Sequence, residues 1–221
     1  MARPTPAVPL LLVVAAGMFA AAPFIVDSAP YESSMGLVQR IFYFHVPAGL
    51  VMMGSAFVCG IASAMYLGRR RPAADRVALA AAELTVVLGV IVLATGPLWA
   101  RKAWGIWWDW EPRLTSTLVM WMVFSAYLML RRFGGPGSEV LAAALGLFGT
   151  ALVPFVYWSV NMWRTLHPNT NVVPSLDPSM RYPFLWCVFA FLTLYALLLA
   201  ARTALEERRA RLDALYLAVE D

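Results

Sequence analysis

Six long apolar stretches are the feature of this sequence that most constrains its fold. A helix needs about 20 apolar residues to cross the hydrocarbon core of a bilayer. The stretches cover residues 8–26, 46–68, 77–98, 114–130, 140–160 and 183–201, to within a few residues. With 61% hydrophobic and 14% charged residues in 221 positions, the chain has little sequence left for a soluble domain. The sequence therefore predicts one domain over 1–221, an all-α integral membrane protein with a bundle of six transmembrane helices.

The Lys and Arg residues are divided unequally between the two sets of connections. The set that includes both terminal segments holds eleven of the 17 cations, and the other set holds six. Cytoplasmic segments of membrane proteins carry the excess of Lys and Arg. Both termini are therefore expected in the cytoplasm, and segments 27–44, 99–113 and 161–182 on the outer side.

The chain contains two histidines, and both fall in the segments that are expected on the outer side. His45 lies where the first outer segment enters the second apolar stretch, and His167 lies in the third outer segment. One such histidine is usually only an anchor in the headgroup region, but two on one side can share a ligand. Zinc takes three or four protein ligands, whereas haem iron needs two axial ligands and often takes histidine. A shared haem is therefore one interpretation, and separate anchoring is the other.

Aromatic and charged side chains are concentrated in residues 99–115, between two apolar stretches. The tryptophans are Trp99, Trp104, Trp107, Trp108 and Trp110, and the cations are Arg101, Lys102 and Arg113. Indole rings offer planar apolar surface for a porphyrin, and guanidinium and ammonium groups bind carboxylates such as haem propionates. Tryptophan is also enriched at membrane interfaces, but five in twelve residues exceed what anchoring requires.

Residues 104–115 read WGIWWDWEPRLT and resemble the WWD signature, WGxWWxWDxRLT, of haem-handling membrane proteins of cytochrome c assembly. Within this superfamily, which also includes CcmF and CcsA, the chain is similar to CcmC, the small six-helix family. The similarity runs almost end to end and includes segments 40–47, 165–167 and 175–181. Glu111 stands where the family usually has aspartate, and Pro112 stands where a small residue is common.

The resemblance implies that His45 and His167 are axial ligands of one non-covalent, b-type haem at the periplasmic face. The signature tryptophans Trp104, Trp107, Trp108 and Trp110 would contact the macrocycle, with Arg101, Lys102 and Arg113 near the propionates. It further implies delivery of haem to the chaperone CcmE. The implied partners are CcmD, the ABC transporter CcmA/CcmB and the lipid of the bacterial inner membrane, with no nucleic acid.

Three other functions stay open from the residues alone. A single-haem electron-transfer anchor also uses two histidines, but in the middle of facing helices rather than at their ends. A haem transporter needs a polar track through the spans, where the sequence has only Glu83, which is expected to pair with the Arg69–Arg76 cluster. A lyase that attaches haem to CcmE is not distinguished from a carrier by the sequence.

Overall fold

The protein is described by a computed structural model that covers residues 7–220, and it is a bundle of six long helices. The helices are α1 (Ala7–Asp27), α2 (Phe42–Arg69), α3 (Pro72–Trp104), α4 (Pro112–Phe133), α5 (Ser138–Met162) and α6 (Pro178–Glu220). A short 3₁₀ helix, Gly36–Ile41, precedes α2. Each long helix contains an apolar window sufficient to cross a membrane. The predicted all-α fold with six membrane-spanning helices is confirmed.

The helices extend beyond the apolar stretches from which they were predicted. Hydropathy marks only the part of a helix that lies in lipid, whereas polar residues with high helix propensity continue it into water. For this reason α6 runs through its Arg- and Glu-rich end to Glu220. Likewise α3 continues to Trp104 and ends at Gly105, whose φ of 77° suits a residue without a Cβ. Only residues 105–111 of the tryptophan-rich segment therefore form the connection to α4.

Helix α2 lies at the centre of the bundle and packs against α3, α5 and α6. Small residues let α2 and α5 approach closely. A Cβ added to Gly60 of α2 would lie 2.3 Å from Oγ1 of Thr150 in α5, so glycine is required there. The Thr150 hydroxyl also donates to the Ala56 carbonyl oxygen of α2 at 2.7 Å. This contact fixes α5 against the helix that carries His45.

Two ion pairs hold the end of the bundle where α2 ends and α3 begins. Arg131 of α4 donates through both terminal nitrogens to the carboxylate of Asp75 in α3, at 2.7 and 2.8 Å. Glu83 of α3 accepts from the Arg202 guanidinium of α6 at 2.7 Å. The expected pairing of Glu83 with the Arg69–Arg76 cluster is therefore wrong. Because α6 continues past its apolar stretch, Arg202 lies beside α3 and takes that role.

The opposite end of the bundle is where the three predicted outer segments meet. Arg40, just before α2, pairs with Asp27 at the end of α1. The connection 105–111 contacts the segment between α5 and α6 through a hydrogen bond from the Leu166 amide to Glu111. At this end of the bundle, α2, α3, α4 and α5 surround one cavity.

Candidate functional site

A cavity of about 400 Å³ opens among the ends of α2, α3, α4 and α5, and the segment 163–177 forms its remaining wall. Most of its surface is apolar, and it reaches inward to Met52 and Met53 of α2. The polar and aromatic side chains that line it are His45, His167, Arg113, Thr117, Asn169, Thr170, Phe42, Trp99, Trp104, Trp108 and Tyr157. Both histidines of the chain therefore lie at one cavity.

His45 is in the first turn of α2 and is held by α3. Its Nδ1 lies 2.8 Å from Oγ1 of Thr95, and this hydroxyl donates its own hydrogen to the Ile91 carbonyl oxygen at 2.7 Å. The Thr95 oxygen therefore accepts from His45, which places the imidazole proton on Nδ1 and leaves Nε2 with its lone pair. The next residue of α3 is Gly96, and a Cβ there would lie 3.3 Å from Cε1 of His45. Glycine thus leaves room for the ring.

His167 lies in the segment that connects α5 to α6. Its Nδ1 lies 2.8 Å from the Pro168 carbonyl oxygen, which can only accept a hydrogen bond. The proton is therefore on Nδ1 here too, and Nε2 is free to bind a metal. Burial, together with the smaller effect of the nearby positive charge of Arg113, lowers the pKa of His167 to about 3. The ring is thus held neutral, in the form that ligates metals.

Glu111 connects the tryptophan-rich loop to the segment that carries His167. Its carboxylate is buried and accepts hydrogen bonds from the Thr165 hydroxyl, from the Leu166 amide at 3.0 Å and from the His167 amide at 3.4 Å. Burial raises the pKa of Glu111, and the amide hydrogen bonds from His167 and Leu166 oppose that shift. The sequence marked Glu111 only as a departure from the signature. No local pattern predicts its contact with a segment more than fifty positions away.

The predicted haem-contacting tryptophans separate into two pairs. Trp104 and Trp108 line the cavity, and Trp104 meets the His167 ring edge-on with 6.4 Å between centroids. Trp107 and Trp110 are 56% and 74% exposed and do not line it. Trp99, which the signature does not include, lines the cavity and packs edge-to-face on Trp104 at 5.8 Å. The composition of segment 99–115 had already marked it as one of five candidate tryptophans.

The predicted cations also separate. Arg113 lines the cavity and donates to the Tyr157 carbonyl oxygen at 3.3 Å. Arg101 donates to the Gly105 carbonyl oxygen and lies over the Trp107 ring, 6.0 Å from its centroid. Arg101 and Lys102 are exposed, and neither lines the cavity. Their assignment to a propionate stays a prediction, and Arg113 is the cation with access to the cavity.

The donors in this cavity fit a porphyrin iron better than a bare ion. Among residues 7–220, no group of three or more His, Cys, Asp or Glu side chains is placed to hold a metal ion. A porphyrin supplies four nitrogens itself and needs only two axial ligands, which the two free Nε2 atoms would provide. Flat indole faces, an apolar floor and one guanidinium match the macrocycle and a propionate.

Comparison with known proteins gives a consistent result. A family model described as heme exporter protein C (CcmC) matches residues 2–216. The chain is 35% identical over 181 residues to the heme exporter protein C of Escherichia coli K12, across 79% of this chain and 72% of that protein. Identity to the protein of that name from Bradyrhizobium diazoefficiens is 36% over 194 residues, across 83% and 73%. For Paracoccus denitrificans it is 33% over 193 residues, across 84% and 80%.

Proposed function

The chain belongs to the heme exporter protein C (CcmC) family, and on this premise we propose that it binds haem and delivers it to the chaperone CcmE in cytochrome c maturation. The name of its relatives supports a role in haem export. The observation that carries the proposal is the meeting of the two histidines at one cavity, each with Nδ1 hydrogen-bonded and Nε2 free.

Nε2 of His45 and Nε2 of His167 are the proposed axial ligands of a non-covalently bound haem. Partners that hold the Nδ1 proton of a metal-binding histidine fix its tautomer and ring orientation, and Thr95 and the Pro168 carbonyl have that position. Trp104 and Trp108 supply apolar surface for the macrocycle, worth about 25 cal/mol for each Å² removed from water. The Arg113 guanidinium binds a propionate.

The cavity is proposed to face the periplasm of a bacterium, with both termini in the cytoplasm. The distribution of Lys and Arg supports this orientation in the inner membrane. CcmD and the ABC transporter CcmA/CcmB are the proposed membrane partners, and CcmE is the proposed acceptor. A site at the outer end of the bundle, with one ligand on a loop, is accessible to a periplasmic acceptor.

The location of the histidines favours a carrier over a single-haem electron-transfer anchor. An anchor holds its histidines in the middle of facing helices, where the haem is shielded from water and from exchange. Here His45 is in the first turn of α2, and His167 is outside any helix. With both proposed ligands at one end of the bundle, a bound haem would be accessible for transfer to another protein.

Absorption spectroscopy of the purified full-length chain, loaded with haem, tests the proposal. The wild type is expected to show a six-coordinate, low-spin haem, and the double variant His45→Ala/His167→Ala is expected to bind little haem. Mixing the loaded chain with soluble CcmE should then move haem to CcmE. An unchanged Soret band in the double variant would contradict the assignment of His45 and His167 as axial ligands. Haem that stays on the chain would contradict the proposal of delivery to CcmE.

A further inference from the structure

The hydrogen bonds that join segment Thr165–His167 to other elements converge on a single carboxylate oxygen. Among the hydrogen bonds of the described residues, each one that joins 165–167 to another element ends on Oε2 of Glu111. The other hydrogen bonds of this segment, from the His167 amide to Thr165 and from the His167 ring to the Pro168 carbonyl oxygen, stay within the connection between α5 and α6. Glu111 therefore holds the backbone that carries the His167 ring, while Trp104 and the Pro168 carbonyl contact the ring itself.

We propose that Glu111 is a positioning residue, which holds segment 165–167 so that Nε2 of His167 reaches the iron. The inference rests on the proposed haem-binding function. Glu111 does not line the cavity, so it acts through the backbone of His167 rather than by contact with haem. The iron then has its second axial ligand only while this carboxylate accepts the Thr165, Leu166 and His167 hydrogen bonds.

The burial of Glu111 supports this role. The residue is 6% exposed, and in the part of the chain that the structure describes no Lys or Arg forms a salt bridge with it. A buried carboxylate without an ion pair is costly unless hydrogen bonds compensate it. The three donors on Oε2 supply this compensation for one carboxylate oxygen. The other oxygen, Oε1, is buried without a hydrogen-bond partner in the part of the chain that the structure describes, so the carboxylate is held from one side only.

The backbone around Glu111 adds rigidity to this connection. Glu111 immediately precedes α4, and Pro112 at the first position of that helix fixes its own φ. Through Glu111, the segment that carries His167 is therefore bonded to the start of α4, which is held in the bundle. His45, by contrast, receives its position directly from the backbone of α2.

The spectra of two Glu111 variants, in the purified full-length chain loaded with haem, test the inference. In Glu111→Ala the six-coordinate, low-spin signal is expected to convert to a high-spin signal, with haem affinity lower by about 10- to 100-fold, the usual effect of losing a partner that orients a metal ligand. Glu111→Gln retains an oxygen that can accept the same three hydrogen bonds, so it should keep most of the low-spin signal. Asp109→Ala, a carboxylate removed from the same loop, is the matched control and should match the wild type.

Added imidazole separates positioning from a general structural effect. A folded Glu111→Ala chain lacks only a correctly placed ligand, so imidazole should restore the low-spin signal, as it should in His167→Gly. If imidazole restores His167→Gly but not Glu111→Ala, the carboxylate does not act through His167 and the inference is wrong. An unchanged spectrum in Glu111→Ala would also overturn it.

A second pair of variants tests the same hydrogen bond by changing its donor, Thr165, instead of Glu111. Thr165→Val removes the hydroxyl that donates to Glu111, while Thr165→Ser retains it. The valine variant should show part of the high-spin signal and the serine variant none, and equal spectra would count against the inference. If instead the wild type shows no bis-histidine spectrum, the proposed haem site fails first, which distinguishes that failure from failure of the positioning role.

Discussion

The two walls of the cavity hold their histidines in different ways. His45 belongs to a long helix, and a side chain of the neighbouring helix fixes its ring tautomer through the Thr95 hydroxyl. His167 belongs to a segment without helix, and Glu111 connects its backbone to the start of α4. One histidine is thus part of a helix of the bundle, and the other is attached to the bundle by side-chain contacts.

This difference has a consequence for haem release. A residue within a helix moves only with its helix, whereas connecting segments open locally at much lower free energy. His167 is therefore the ligand expected to leave the iron first when an acceptor takes the haem. In the proposed site, His45 would bind the haem until the exchange is complete, so the asymmetry would allow both retention and release.

The largest expected effect is a difference between the two single histidine variants. His45→Ala removes the ligand on the fixed wall, and we expect nearly all haem to be lost. His167→Ala leaves His45 in place, and we expect a reduced amount of haem in a high-spin, five-coordinate state. Haem content per chain and the absorption spectrum measure both. The reverse order, with more haem in His45→Ala, would show that the loop carries the stronger ligand and would invert the comparison.

The next effect concerns the residue that orients His45. Thr95→Val keeps the shape of the side chain but removes the acceptor for the Nδ1 proton, so the ring loses its fixed orientation. Haem affinity is expected to fall by about 10- to 100-fold. Thr193→Val is a matched control, because its hydroxyl bonds to the Phe189 carbonyl oxygen within α6. Equal haem titrations for the two variants would mean that the backbone of α2 alone positions His45.

A smaller effect is expected from the indole rings, and it distinguishes the cavity from the exposed face of the loop. Replacing Trp104 and Trp108 together with leucine removes apolar surface that lines the cavity. A loss of about 1–2 kcal/mol would lower haem affinity about 5- to 30-fold. The double variant Trp107→Leu/Trp110→Leu is the control and should bind nearly as much haem. If the control loses as much, the exposed pair also contacts haem, as the signature implied.

The sequence predicted the features that depend on a local pattern or on a residue type that occurs only twice in the chain. Six apolar stretches are sufficient to predict six spans, because lipid excludes other structures for the backbone. The chain has only two histidines, and both are predicted on one face of the membrane, so they were the only histidines that could be proposed as iron ligands. The meeting of His45 and His167 at one cavity agrees with that choice, although their ligand role stays a prediction.

Other parts could not be predicted, because they depend on contacts between distant segments. The apolar stretch 77–98 placed the end of the third span at residue 98, yet α3 continues to Trp104. Trp104, on this continuation, packs on Trp99 and lines the cavity, whereas Trp107, past the helix end, does not. The link from Glu111 to Leu166 depends on the approach of two loops, which no window of the sequence contains.

The smallest expected effect concerns the exposed cations and decides where a propionate is held. Arg101→Gln and Lys102→Gln are each expected to change haem affinity by less than about fivefold, because exposed ion pairs contribute about 0.2–1 kcal/mol and salt screens them. Arg113→Gln should cost more and depend less on salt, because its guanidinium lines the cavity. Haem titrations at low and high ionic strength compare the three variants. A loss in Arg101→Gln or Lys102→Gln equal to that in Arg113→Gln would place a propionate outside the cavity, beside the exposed tryptophans, and would make the loop rather than the helix ends the main haem contact.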